Sequence, residues 1–122
     1  MSNLEKVVNL VRGFGLSGRY RGYYFLVEAL YLVMEWQYRP YHITKDIYPA
    51  VARICGSRAD CVEYGIRSAA DYCWKNRKEQ LCDMAGYPLD HRPTNLEFIE
   101  ILSNRLRTGE PTEDTVLTGS CR

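Results

Sequence analysis

A chain of 122 residues, 46% of them hydrophobic, holds enough apolar material for one domain with a real core and too little length for a second. Sixteen Lys and Arg against fifteen Asp and Glu leave a formal charge of +1, which excludes a uniformly basic polyanion binder and requires any basic footprint to be local. Residues 1–60 hold eight basic side chains against five acidic ones, residues 61–107 balance, and the segment from Thr108 onward is acidic.

The first predicted helix opens at Ser2, with Glu5 as its Ser-x-x-Glu partner, carries Leu4, Val7, Val8 and Val11, and is stopped by Gly13 and Gly15. A second helix runs from about Gly22 to Tyr38, with Phe25, Ala29, Leu32, Val33 and Trp36 as its broad stripe. It is expected to be the central core helix, ended by Pro40. The same region contains the most apolar stretch of the chain, yet Glu28 and Glu35 interrupt it and it is too short to span a bilayer. With no signal-peptide run at the N-terminus either, secretion and membrane insertion are not expected.

Residues 43–74, ITKDIYPAVARICGSRADCVEYGIRSAADYCW, read as two helices joined by a tight turn. The first begins with Thr44 as N-cap and ends near Cys55, where Gly56 lets the chain reverse. Ser57 and Asp60 form a capping-box-like start for the second. Along that second helix Val62, Ile66, Ala69 and Cys73 share one buried face, while Asp60, Tyr64, Arg67, Ser68 and Asp71 fall opposite. A helix that reads DNA needs this division, because its apolar side docks on a scaffold and its polar side enters the major groove. The same pattern also describes an ordinary helical hairpin with a solvated face, since helix-turn-helix spacing carries little information by itself.

A short helix follows over residues 78–85, stopped by Gly86 and Pro88. The last has the clearest start: Pro93, then Thr94 as N-cap with Glu97 three residues on, and an apolar face of Phe98, Ile99, Leu102 and Leu106. No segment alternates with period two. The expectation is an all-α compact bundle of about six helices over residues 1–107, containing a helix-turn-helix, followed by a disordered acidic tail over 108–122. The ten tyrosines are read as amphipathic packing at the core edge, in preference to a base-stacking surface.

No catalytic chemistry is apparent. His42 and His91 belong to no zinc spacing, there is no GxSxG, Walker or GxGxxG motif, and Glu97 and Glu100 look like helix-surface residues. An enzyme, a metal and a cofactor are all unexpected. The five cysteines are odd in number with no C-x-x-C pair, so they are expected to be reduced thiols in a cytosolic protein, Cys55 and Cys73 serving as small core hydrophobes.

Three blocks, GLSGRYRGYYFLVEAL, ITKDIYPAVARICG with VEYGIRSAADYCW, and RPTNLEFIEILSNRLR, carry a further signal. Over residues 15–107 the chain resembles the C-terminal DNA-binding effector domain of stage-zero sporulation protein A, a sporulation response regulator. The resemblance implies an all-α domain in the cytoplasm at the nucleoid, with a recognition helix over about residues 58–74 in the major groove. It also implies double-stranded DNA as the ligand, pairing as a homodimer on DNA, and contact with an RNA polymerase sigma subunit. The family domain normally follows a phosphoacceptor receiver. Here Met1 stands directly before the first helix, so either the effector is free-standing or the chain is trimmed.

The reading head departs from the family pattern, which places Ser-Arg, Glu-Arg and a further Arg along the exposed face. Those positions hold Asp60, Cys61, Glu63, Tyr64 and Arg67. Glu63, Tyr64, Arg67 and Cys61 are the expected base-facing residues, and Lys45, Ser57 and Arg58 the expected phosphate contacts. Loss of two arginines redirects or weakens specificity. A rival expectation is therefore an interaction module that has lost base reading and binds the full-length regulator or a sigma factor.

Overall fold

Residues 2–37 and 40–108 are described by the computed structural model, and among them lie six α-helices, one π-helical turn and no strand. Helix α1 (Asn3–Gly13) starts as its sequence predicts. Ser2 Oγ accepts from the Glu5 amide at 3.2 Å and Glu5 Oε1 accepts from the Ser2 amide at 3.0 Å, closing a capping box. Val7 and Val11 are buried, Leu4 stays largely exposed, and Gly15 at φ +89° turns the chain.

Helix α2 (Tyr23–Trp36) packs against α1 and, once the chain has folded back, against the later helices as well. It is the central helix expected from its composition. Its buried face, however, is built on Leu26, Val27, Ala29, Leu30 and Val33, while Phe25, Leu32 and Trp36 of the expected stripe sit at the core margin. A helix apolar on most sides leaves its rotation to be decided by its neighbours, which periodicity does not identify. Tyr38, the expected end, lies outside the described residues.

The chain re-enters helix through a π-helical turn, Ile43–Ile47. Thr44 lies inside this turn and is not a cap; the Asp46 carboxylate instead accepts the His42 amide at 2.8 Å. The Asp46 and Ile47 amides, which a Thr44 cap would bind, donate instead to the His42 carbonyl at 2.7 and 3.3 Å. Helix α3 (Tyr48–Cys55) follows, with Pro49 in its first turn, and ends at Gly56 in the left-handed conformation, φ +65°. The Ser57 amide donates to the Ala52 carbonyl at 2.8 Å, the 6→1 bond of a Schellman-type end.

Helix α4 (Ala59–Asn76) buries Val62, Ile66, Ala69 and Cys73 completely, as their spacing predicts. The expected Ser57–Asp60 cap is not formed. Arg58 occupies the cap position without a side-chain cap bond, and Asp60 turns to the Arg58 guanidinium, a better partner for a carboxylate than a backbone amide. Helix α5 (Lys78–Ala85) stops at Gly86, φ +85°. Helix α6 (Asn95–Thr108) opens on the predicted reciprocal pair: Thr94 Oγ1 accepts from the Glu97 amide at 3.1 Å and Glu97 Oε1 accepts from the Thr94 amide at 2.8 Å. Phe98, Ile99 and Leu102 are fully buried on its inner face.

Glu100 is less superficial than its sequence position suggests. It is half-buried and accepts the Tyr41 hydroxyl, whose ionisation is pushed upward by burial and by that hydrogen bond. Of the acidic segment expected to be a tail, Thr108 is the last residue of α6 and residues 109–122 lie outside the described residues. Among those described, no helix is long and apolar enough to cross a membrane.

Candidate nucleic-acid interface

Beyond the burial of its apolar side chains, helix α4 is fastened to the scaffold through its backbone. A Cβ added to Gly22 would lie 2.1 Å from the Gly65 carbonyl oxygen, so the start of α2 and the middle of α4 meet backbone to backbone. Beside that contact the Tyr20 hydroxyl donates to the Ser68 carbonyl at 2.7 Å. Burial raises the Tyr20 phenol above its ordinary ionisation range, so it stays a donor. Asn95, at the start of α6, donates through Nδ2 to the Glu63 carbonyl at 3.1 Å and to the Tyr48 hydroxyl at 2.9 Å, joining α3, α4 and α6 at one point. Further along, Arg92 Nη1 holds Asp71 Oδ1 at 2.7 Å.

These anchors define the free face. At about 100° per residue, Glu63 and Ser68 are about 140° apart around α4, and the arc between them carries Asp60, Tyr64 and Arg67. All three are exposed, with Cys61 beside them on the Ser68 edge; Tyr64 has 58% of its surface open. Glu63 itself sits at the rim, partly covered. The structure thus brings Glu63, Tyr64, Arg67 and Cys61 onto the N-terminal half of one helix. Of the expected phosphate contacts, Ser57 and Arg58 lie at the α3–α4 turn and adjoin this face. Lys45, exposed on the π-helical turn, is at the other end of α3, about 12 Å away along that helix.

The charges of the face are largely self-paired. Arg67 Nη2 meets Glu63 Oε2 at 2.5 Å, an i, i+4 pair on α4. The Arg58 guanidinium engages both oxygens of Asp60, Nε to Oδ1 at 3.2 Å and Nη2 to Oδ2 at 2.6 Å. Asp60 is held below the ordinary carboxyl range chiefly by that Arg58 bond, and Arg58 is raised in turn. Both pairs are exposed, so each is readily exchanged for another partner.

Two cations that sequence reasoning passed over belong to the same surface. Arg19 and Arg21 lie on the segment between α1 and α2, exposed and in no ion pair among the described residues. Tyr20 between them is bonded to Ser68, and Gly22 just beyond is in contact with Gly65, so the segment that carries both arginines runs alongside α4. The available signal was the pair of glycines, one before α2 and one inside α4, which marks a close helix contact only once the two helices are known to meet.

Among the described residues no cluster of three or more His, Cys, Asp or Glu is placed to hold a metal ion. Cys73 is buried on the scaffold side, where desolvation pushes its thiol up to about 12, whereas Cys61 is exposed on the free face.

An all-α scaffold that grips one helix by its backbone and leaves one side of it open is the architecture of a helical effector domain. The chain matches the family described as sporulation initiation factor Spo0A C terminal over residues 7–106, and it belongs to that family. The match takes in most of α1, which the resemblance from Gly15 left out. At the level of the family, this is a DNA-binding sporulation effector domain.

Proposed function

We propose that this protein is a sequence-specific DNA-binding transcriptional regulator that lays the N-terminal half of α4 into the major groove. The observation that carries the reading is the division of α4: its scaffold contacts leave an exposed arc of Cys61, Tyr64 and Arg67 with Glu63 at its rim. Arg67 is suited to guanine O6 and N7, Glu63 to a cytosine amino group, and Tyr64 to apolar or stacking contact with base edges. Ser57, Arg58 and Lys45 take phosphates, joined by Arg19 and Arg21 on the flank. The proposed role is binding alone, at the nucleoid in the cytoplasm, without a catalytic step or cofactor. Pairing of two copies on DNA is part of the same proposal.

Selection of bound duplexes from a random pool at two salt concentrations tests it. Enrichment of one motif by the wild-type chain, relaxed at one base position in Arg67→Ala, is the expected result. Retention of no duplex at low salt refutes the reading.

A second reading rests on a different observation. A groove between α5 and α6 is lined by Met84, Ala85, Tyr87, Leu96 and Ile101 together with Glu97, Glu100 and Asn104, with Tyr87 and Leu96 well exposed. In this reading the chain is an interaction module whose partner is the full-length regulator or a sigma subunit. Recovery of such a partner by the wild type but not by Tyr87→Ala, with no motif enriched from the pool, would favour it.

A further inference from the structure

Among the exposed cations adjoining the free face of α4, Arg58 is the one whose partner sits at the helix start. The guanidinium is forked onto both carboxylate oxygens of Asp60, the residue two positions on. Asp60 is in the first turn of α4, where the leading amides have no side-chain cap, and its carboxylate supplies a local anion there. Its lowered ionisation reflects Arg58 first and, to a smaller extent, the amides of Cys61 and of Asp60 itself. A helix N-terminus flanked by an arginine is the arrangement that receives a phosphate in a DNA complex. Here that arginine is already held by a carboxylate of the same chain.

We propose that Asp60 is a built-in competitor for DNA phosphate: its carboxylate occupies Arg58, so Arg58 engages a duplex only when that pair opens. This inference rests on the DNA-binding reading above. It makes Asp60 an affinity-limiting residue, and it assigns a direction opposite to the usual effect of altering an interface residue. An exposed pair is weakly held, so releasing Arg58 is worth about fivefold in affinity at low salt. One additional neutralised phosphate steepens the dependence of log K on log salt by about 0.9.

The test uses the full chain and a fluorescent random-sequence duplex, titrated by anisotropy over a range of salt. Asp60→Asn is expected to bind about fivefold more tightly than the wild type, with a slope steeper by about 0.9. The double variant Arg58→Ala/Asp60→Asn is expected to return to the wild-type slope, because the released cation is gone. All positions changed are exposed, and circular dichroism verifies that each variant is folded. An unchanged slope in Asp60→Asn overturns the proposal, as does a gain that persists in the double variant, which would make Asp60 a source of general repulsion only. Binding by neither the wild type nor Asp60→Asn overturns the DNA reading itself, a result distinguishable from the other two.

Discussion

Substitution of Gly22 by alanine tests the backbone contact that positions α4. Gly22 has φ −85° and ψ 0°, which alanine adopts without strain, so any loss of stability must come from space. The added Cβ would sit 2.1 Å from the Gly65 carbonyl oxygen and 2.8 Å from its carbon, about 1 Å inside the closest approach that Cβ atoms make. Both atoms are backbone within a long helix, so relief requires α2 and α4 to separate. Overpacking of this kind costs about 1–3 kcal/mol, and the upper end applies where no side chain can give way. Reduced freedom of the unfolded chain returns about 0.4–1 kcal/mol, leaving a net loss of about 2 kcal/mol. For a domain of this size the melting temperature falls by about 8 °C. Gly65→Ala is the milder comparison: its Cβ would meet the Phe25 ring at 2.5 Å, a side chain at the core margin that can move, and the Gly22 Cα only at 3.3 Å, which asks a few tenths of an ångström of the backbone. This variant is expected within about 1 kcal/mol of wild type, helped by alanine's preference for helix interiors. Thermal unfolding followed by circular dichroism reads both. A Gly22→Ala melting point within about 2 °C of wild type would refute the backbone contact and the placement of the Arg19 to Arg21 segment that depends on it.

Thr94→Ala removes the hydroxyl that caps α6 and is expected to lower stability by about 1 kcal/mol, measured as a shift in urea midpoint at unchanged m-value. The Cys73 thiol, raised from an ordinary value of 9.0 to about 12 in the folded state, contributes stability that is complete below pH 9 and is lost as pH rises toward 12. At pH 10.5 the wild type is therefore expected to have lost about 2 kcal/mol that Cys73→Ala does not lose, read as the difference between their urea curves at pH 8 and 10.5. Brief alkylation of the native protein followed by peptide mapping should find Cys61 modified and Cys73 untouched; equal labelling would contradict the burial of Cys73. Arg67→Ala is expected to reduce discrimination at one base position by about 1–3 kcal/mol, seen as relaxed preference there in a competition assay.

Local rules made much of this fold legible. The Ser2–Glu5 and Thr94–Glu97 boxes, the stops at Gly15, Gly56 and Gly86, and the buried face of α4 each depend on residues within a turn or two of one another. What escaped depended on partners that short-range patterns do not weigh. The amides that Thr44 would cap donate to the His42 carbonyl, and Asp60 left Ser57, whose amide donates to the Ala52 carbonyl, for the Arg58 guanidinium, a stronger partner for an ionised carboxylate. The rotation of α2 and the Gly22–Gly65 contact follow from which helices meet, and so do the positions of Arg19 and Arg21. The residues of the reading face were legible because a helical arc follows from spacing alone. Their pairing into Glu63–Arg67 and Arg58–Asp60 was not weighed, although both partners were visible in each case.

The way α4 is held leaves its outer face free to vary while the scaffold persists. The anchoring acceptors at Glu63 and Ser68 are main-chain carbonyls, each using a second lone pair beyond its helical bond. The close approach at position 65 involves backbone as well. Of the side chains of residues 60, 61, 64 and 67, none supports another helix; the ion pairs they make are with their own turn of chain. Replacing an arginine there by cysteine or tyrosine leaves every scaffold contact of α4 in place, at a surface-substitution cost of about 0.5 kcal/mol or less. The exposed face and the contacts that support the fold therefore fall on different atoms of the same helix. Cys61 and Tyr64 are consequently evidence about what the helix contacts and none about whether the domain is intact.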